Sequence, residues 1–189
     1  MNFSEIYQKI NEEVSFLQRY IESGTWTENK SEFFDSPHKA ALTSYKTTFG
    51  QLFPTLNKSA SGIYVFVCRA VSKISSINDF NSGQKLSKLR MTDDNTVIIS
   101  EGQLLYVGEC GDFSSRMSAH LSENNDSSTG GLHLYLPNRI TIKPEHFNLI
   151  VFPLKEAFYP QDIDSNLKQM LREIIEIKLR AIYFPWIGK

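Results

Sequence analysis

Five side chains in this sequence have types and spacings that could do chemistry together: Tyr64, Tyr106, Arg116, His120 and Glu176. Arg116 and His120 are four residues apart, so on a helix they share one face and can reach the same phosphate. Arginine offers a planar fork of donors to such a group, and histidine can give or take a proton near neutral pH. The two tyrosines lie in short runs, Gly62-Ile63-Tyr64 and Tyr106-Val107-Gly108. Each feature also has a purely structural reading. Arg116 and His120 would suit a solvated arginine beside a partly buried histidine. Glu176 shares a helical face with Arg172, Glu173, Arg180 and Tyr183, a pattern that surface ion pairs at i, i+4 account for.

The elements that must position these residues are legible from periodicity. Phe3, Ile6, Tyr7, Ile10, Val14, Leu17, Tyr20 and Ile21 recur at three- and four-residue spacing before Gly24, which predicts an amphipathic helix. Ser36-Pro37 is a cap-plus-first-turn signal and predicts a second helix to about Thr48, closed by Gly50 and Pro54. Residues 1–58 therefore read as a helical N-terminal extension. The β-branched and aromatic run Gly62–Cys68 predicts a strand, followed by strands at Thr96–Ile99 and Leu104–Gly108 around a Glu101-Gly102 turn. Asp112 is placed to cap a helix carrying Arg116 and His120. His146–Leu154 predicts another strand, and Asp164 begins a last helix that ends before Pro185.

Composition sets bounds on function. The chain has 189 residues, 41% apolar, enough for one sizeable core. With 20 basic and 21 acidic residues the net charge is −1, which gives no long-range attraction for a polyanion. Positive charge is instead local: Arg69, Lys73, Lys85, Lys88 and Arg90 stand against Asp79 alone in residues 69–92, either as a nucleic-acid contact or as a solvated loop. The N-terminal run MNFSEIYQKINEE lacks the features of a signal peptide, and no apolar stretch approaches the ~18 residues of a membrane span, so the expectation is a cytoplasmic protein without membrane contact. Cys68 and Cys110 are too few for a disulfide framework and are expected to be buried thiols.

Taken together, Gly62-Ile63-Tyr64, Tyr106-Val107-Gly108, Arg116 ten residues after the second tyrosine, His120 four residues later, and Glu176 nine residues before Pro185 with Leu179 between resemble the motif set of the GIY-YIG nuclease superfamily. The resemblance spans most of residues 62–188. The sequence departs from that pattern at several points. Val107 replaces the second isoleucine, and Glu109 stands where many members have Lys, Ser or Thr. Arg180 follows Leu179 where isoleucine is usual, Trp186-Ile187-Gly188 replaces an aromatic-Asn pair, and the interval between the tyrosines exceeds a tight hairpin.

The resemblance implies an α+β fold, a small mostly antiparallel sheet flanked by helices, over residues 59–189 with a basic insert at about 69–95. It implies a metal-dependent endonuclease, a stand-alone restriction-type member, acting on phosphodiester bonds in double-stranded DNA. Tyr64 or Tyr106 would be the general base and Arg116 would hold the scissile phosphate. His120 would contact phosphate or shuttle a proton. Glu176 would hold one Mg2+ or Mn2+ ion through hard carboxylate oxygen, with Glu173 a lesser competitor. Lys85, Lys88, Arg90 and Arg116 are the expected nucleic-acid contacts, and a homodimer is an assembly this reading admits. The rival reading is a catalytically silent nucleic-acid-binding or protein-interaction module on the same fold.

Overall fold

The computed structural model describes residues 3–27, 30–44, 46–74, 97–121, 143–155 and 165–186. Within them the chain runs α1 (Phe3–Ser23), β1 (His38–Ala41), α2 (Phe49–Leu52), β2 (Gly62–Cys68), β3 (Ser72–Ile74), β4 (Val97–Ile99), β5 (Leu104–Cys110), α3 (Phe113–Leu121), β6 (Phe147–Pro153) and α4 (Ser165–Tyr183). β1, β6, β2 and β5 form a four-stranded antiparallel sheet in that spatial order, and β3 pairs with β4 in a separate ribbon. The class is α+β, as expected. No helix among the described residues is long and apolar enough to cross a membrane.

β2 is buried along its whole length because it is central and both faces are covered. On one face Tyr64, Phe66, Tyr106, Leu149 and Val151 pack under α2 and α3 with Phe49, Phe113 and Met117. On the other, Ile63, Val65, Val107 and Phe152 meet Ile10, Val14 and Leu17 of α1 and Leu171, Ile175 and Leu179 of α4. The period-2 alternation of the strands thus serves two apolar layers. Each large buried side chain contributes ~1.5–3 kcal/mol against exposure.

The helix expected from Ser36 to about Thr48 is not found among the described residues of that span. His38–Ala41 is instead a strand paired with Asn148–Val151, so the N-terminal region is not wholly helical and supplies the outer strand of the sheet. The pairing extends in both directions, through a bridge between Phe34 and Leu154, an Asp35 N–H to Pro153 carbonyl bond and a Leu42 N–H to Phe147 carbonyl bond. Proline disfavours helical geometry in the residue before it, and the exposed edge of β6 gives the extended chain its partners. Helix formation begins only at Phe49, where Gln51 Oε1 accepts the Thr48 N–H at 2.8 Å.

The other expectations stand closer to the structure. α1 ends at Gly24, whose φ of 71° suits glycine and whose N–H returns to the Tyr20 carbonyl at 2.8 Å. Asp112 caps α3, accepting the Ser115 N–H at 2.7 Å. The strands expected at 96–99, 104–108 and 146–154 are β4, β5 and β6. Lys85, Lys88, Arg90 and the Asp164 cap lie outside the described residues. Cys68 and Cys110 are free and buried.

Candidate active site

β2 and β5 bring the two tyrosines together. Phe66 faces Tyr106 in register, but Val67 then faces Leu104, so Leu105 is an extra residue in β5. This bulge turns Leu105 and Tyr106 to the same face, beside Tyr64. Tyr64 lies directly opposite Gly108 and its ring crosses over it. A Cβ at position 108 would come within 2.3 Å of the Tyr64 hydroxyl and 2.6 Å of the Tyr106 ring, so glycine is required for the two rings to meet. Their centroids are 5.9 Å apart at 30°. Gly62 has a similar role, because a Cβ there would lie 2.1 Å from the Phe152 carbonyl oxygen and 2.8 Å from the Phe113 ring.

α3 delivers Arg116 and His120 to this pair. Arg116 Nε donates to the Tyr64 hydroxyl oxygen at 3.0 Å, and that hydroxyl lies 2.6 Å from His120 Nε2. A guanidinium can only donate, so the phenol oxygen accepts from Arg116, and the phenol donates to His120 in the tautomer that leaves Nε2 unprotonated. The result is a continuous hydrogen-bonded chain, Arg116 to Tyr64 to His120. The His120 ring also packs 5.4 Å from Tyr106 and 5.9 Å from Phe66. Tyr64 and His120 are fully buried, Tyr106 nearly so, and Arg116 half-buried.

Burial pushes the Tyr64 phenol well above its ordinary value. Neighbouring Tyr106 adds to the rise, and the Arg116 charge and hydrogen bond oppose it. Desolvation alone would lower Arg116, but Tyr64 and Tyr106 more than reverse it, so Arg116 stays a permanent cation. His120 Nε2 is engaged by the Tyr64 hydroxyl.

Glu176 arrives from the other side of the sheet. β5 is an edge strand, and α4 packs against it so that the polar face of the helix turns inward over that edge. Arg180 Nη2 lies 2.5 Å from Glu176 Oε1, with the two side chains only 18% and 14% exposed. It also donates to the Val107 carbonyl at 3.0 Å, and its Cζ sits 5.5 Å from the Tyr106 ring centroid. Arg180 therefore connects Glu176 to the tyrosine cluster. Glu173 is exposed and accepts from Gln169 at 2.8 Å. The i, i+4 ion pair expected of this helix face forms between Glu176 and Arg180, though largely shielded from solvent, whereas Glu173 is held by the neutral Gln169 amide.

Burial raises the Glu176 carboxyl from its ordinary value to about 7. Arg180 and Arg116 act against the shift, while Glu109 and Glu173 add to it as like charges. Glu109 itself pairs with Arg172 Nε at 2.8 Å, so the acid that would repel a phosphate has its own buried cation. No group of three or more His, Cys, Asp or Glu residues that could hold a metal occurs among the described residues. What the described residues would offer a hard divalent ion is the single carboxylate of Glu176, already held by Arg180, with the remaining coordination left to water and phosphate. The sequence shows Arg172 and Arg180 only as ion-pair candidates on the Glu176 face, not their contacts with Glu109 and Val107. Their one signal is spacing, since Arg172, Glu176 and Arg180 recur every four residues.

No family model, curated protein or solved structure matches the chain. A functional reading rests on the geometry and on the motif spacing alone.

Proposed function

We propose that this protein is a metal-dependent endonuclease of the GIY-YIG kind, hydrolysing phosphodiester bonds, with double-stranded DNA as its substrate. The observation that carries the reading is the hydrogen-bonded chain from Arg116 through the Tyr64 hydroxyl to His120 Nε2. A phenol is a poor base at neutral pH unless its own proton has somewhere to go, the more so for Tyr64, which burial raises further. In this reading His120 takes that proton on Nε2, with Arg116 stabilising the phenolate character that develops. A water attacking phosphorus would pass its proton to the Tyr64 oxygen as the Tyr64 proton moves to His120. Arg116, half-buried at the margin of the cluster, would meet the phosphate and counter its added charge. Glu176 would hold one Mg2+ or Mn2+ ion, which when bound supplies charge neutralisation at the phosphate and leaving oxygen.

The full burial of Tyr64 and His120 favours a second reading, a sealed structural network in a module that binds nucleic acid without cutting it. Tyr64→Phe separates the two. It removes the proton relay while keeping the ring that packs over Gly108. Single-turnover cleavage of plasmid DNA should slow by at least about 100-fold, the usual contribution of a positioned proton-transfer group. Cleavage at the wild-type rate would remove Tyr64 from the mechanism. Binding without cleavage by the wild type would favour the silent module.

A further inference from the structure

Arg180 stands where the family resembled here usually has isoleucine, and its contacts go beyond those of a surface pair. α4 places it one turn from Glu176 on one face. Its guanidinium is fixed by the β5 backbone as well as by the acid. Nη2 and Nε lie 3.0 and 3.3 Å from the Val107 carbonyl oxygen, and Cζ lies 5.5 Å from the Tyr106 ring. Val107 belongs to an edge strand, whose outward carbonyls need partners, so this anchor holds the cation in place independently of the carboxylate. The Glu176 contact at 2.5 Å is largely shielded from solvent and is screened little by salt.

We infer that Arg180 is a positioning residue that competes with the divalent ion for Glu176, a fixed positive charge that sets the ion concentration at which the site loads. This rests on the reading of Glu176 as the metal ligand. Two cations on one carboxylate repel, and linkage makes the effect reciprocal: the ion weakens the Arg180 pair as much as the pair weakens the ion. An isoleucine at this position would leave the carboxylate unopposed. In this chain the carboxylate is held oriented, and answered electrostatically, before any ion arrives.

The test is Mn2+ binding to the full-length, metal-free protein without DNA, read from the EPR signal of free Mn2+. Wild type is compared first with Glu176→Gln, and the binding lost defines the ion at Glu176. Arg180→Gln removes the charge but can still donate to the Val107 carbonyl, and it should tighten that binding by roughly fivefold or more. Arg180→Met should shift affinity in the same direction. Arg180→Lys keeps the charge and should stay within about twofold of wild type, a contrast that a merely structural role would not produce. Thermal unfolding verifies that each variant is folded. Unchanged or weaker Mn2+ binding in the folded neutral variants overturns the inference while leaving Glu176 as ligand. Binding that survives Glu176→Gln overturns the metal reading of Glu176, and this inference with it.

Discussion

Each residue of the candidate site is defined by what its neighbours leave it able to do. Tyr64 has an arginine donor on one side and a histidine ring nitrogen on the other, so its hydroxyl is held from both sides. Glu176 presents the opposite situation, an acid whose surroundings favour protonation despite a close arginine. Its folded-state value of about 7 lies above the ordinary 4.5, so the native state binds its proton more tightly than the unfolded chain does. Below pH 4.5 both states are protonated and Glu176 has no effect on stability. As pH rises from 4.5 through 7 the carboxylate progressively costs stability, and above 7 the full cost remains. Glu176→Gln mimics the protonated form. Its melting temperature in metal-free buffer should therefore exceed that of wild type at pH 8, with the difference shrinking toward pH 5. A variant less stable than wild type at pH 8 would show that the Arg180 pair outweighs the burial cost.

Among the elements, those with strong, uninterrupted periodicity were the ones readable in the sequence. α1 and α4 show their buried stripes directly, and β2 shows as a continuous β-branched and aromatic run because it is covered on both faces. Residues 36–48 were misread because Ser36-Pro37 is a local signal, whereas the partner that makes His38–Ala41 a strand is β6, more than a hundred residues away. The site was legible as spacing: Arg116 and His120 on one helix face, Glu176 on another. Its sealing was not, because burial of α4's polar face depends on β5 being an edge strand. The segment after α1 is similarly held by long-range contacts. Glu13 on α1 is buried and accepts from the Ser31 hydroxyl at 2.6 Å and from the Glu32 and Phe33 N–H groups at 2.6 and 3.3 Å. Phe33 and Phe34 then engage the end of β6. Glu13→Ala would strand these donors and should cost about 2–3 kcal/mol in chemical denaturation. A loss below ~0.5 kcal/mol, the usual scale of a surface substitution, would mean that water replaces the carboxylate freely.

At the scale of the whole molecule, a net charge of −1 means that any hold on DNA must come from a local patch rather than from the overall field. Replacing Lys85, Lys88 and Arg90 together with Ala should weaken DNA binding and flatten its dependence on salt, since each lost phosphate contact releases roughly one counterion fewer. An unchanged affinity across a salt series would reduce those residues to a solvated loop. The α+β frame, with α3 on one face of the sheet and α4 at its edge, brings side chains from four elements toward one region, and hydrolysis is the chemistry proposed for them. The most direct test is cleavage of supercoiled plasmid in Mg2+ or Mn2+ by wild type and by Glu176→Gln, with folding and DNA binding verified for both. The account predicts nicked and linear product from the wild type, none without metal, and none from the variant although it still binds DNA. Metal-independent cleavage, full cleavage by Glu176→Gln, or no cleavage by a wild type that binds DNA in either metal would contradict it.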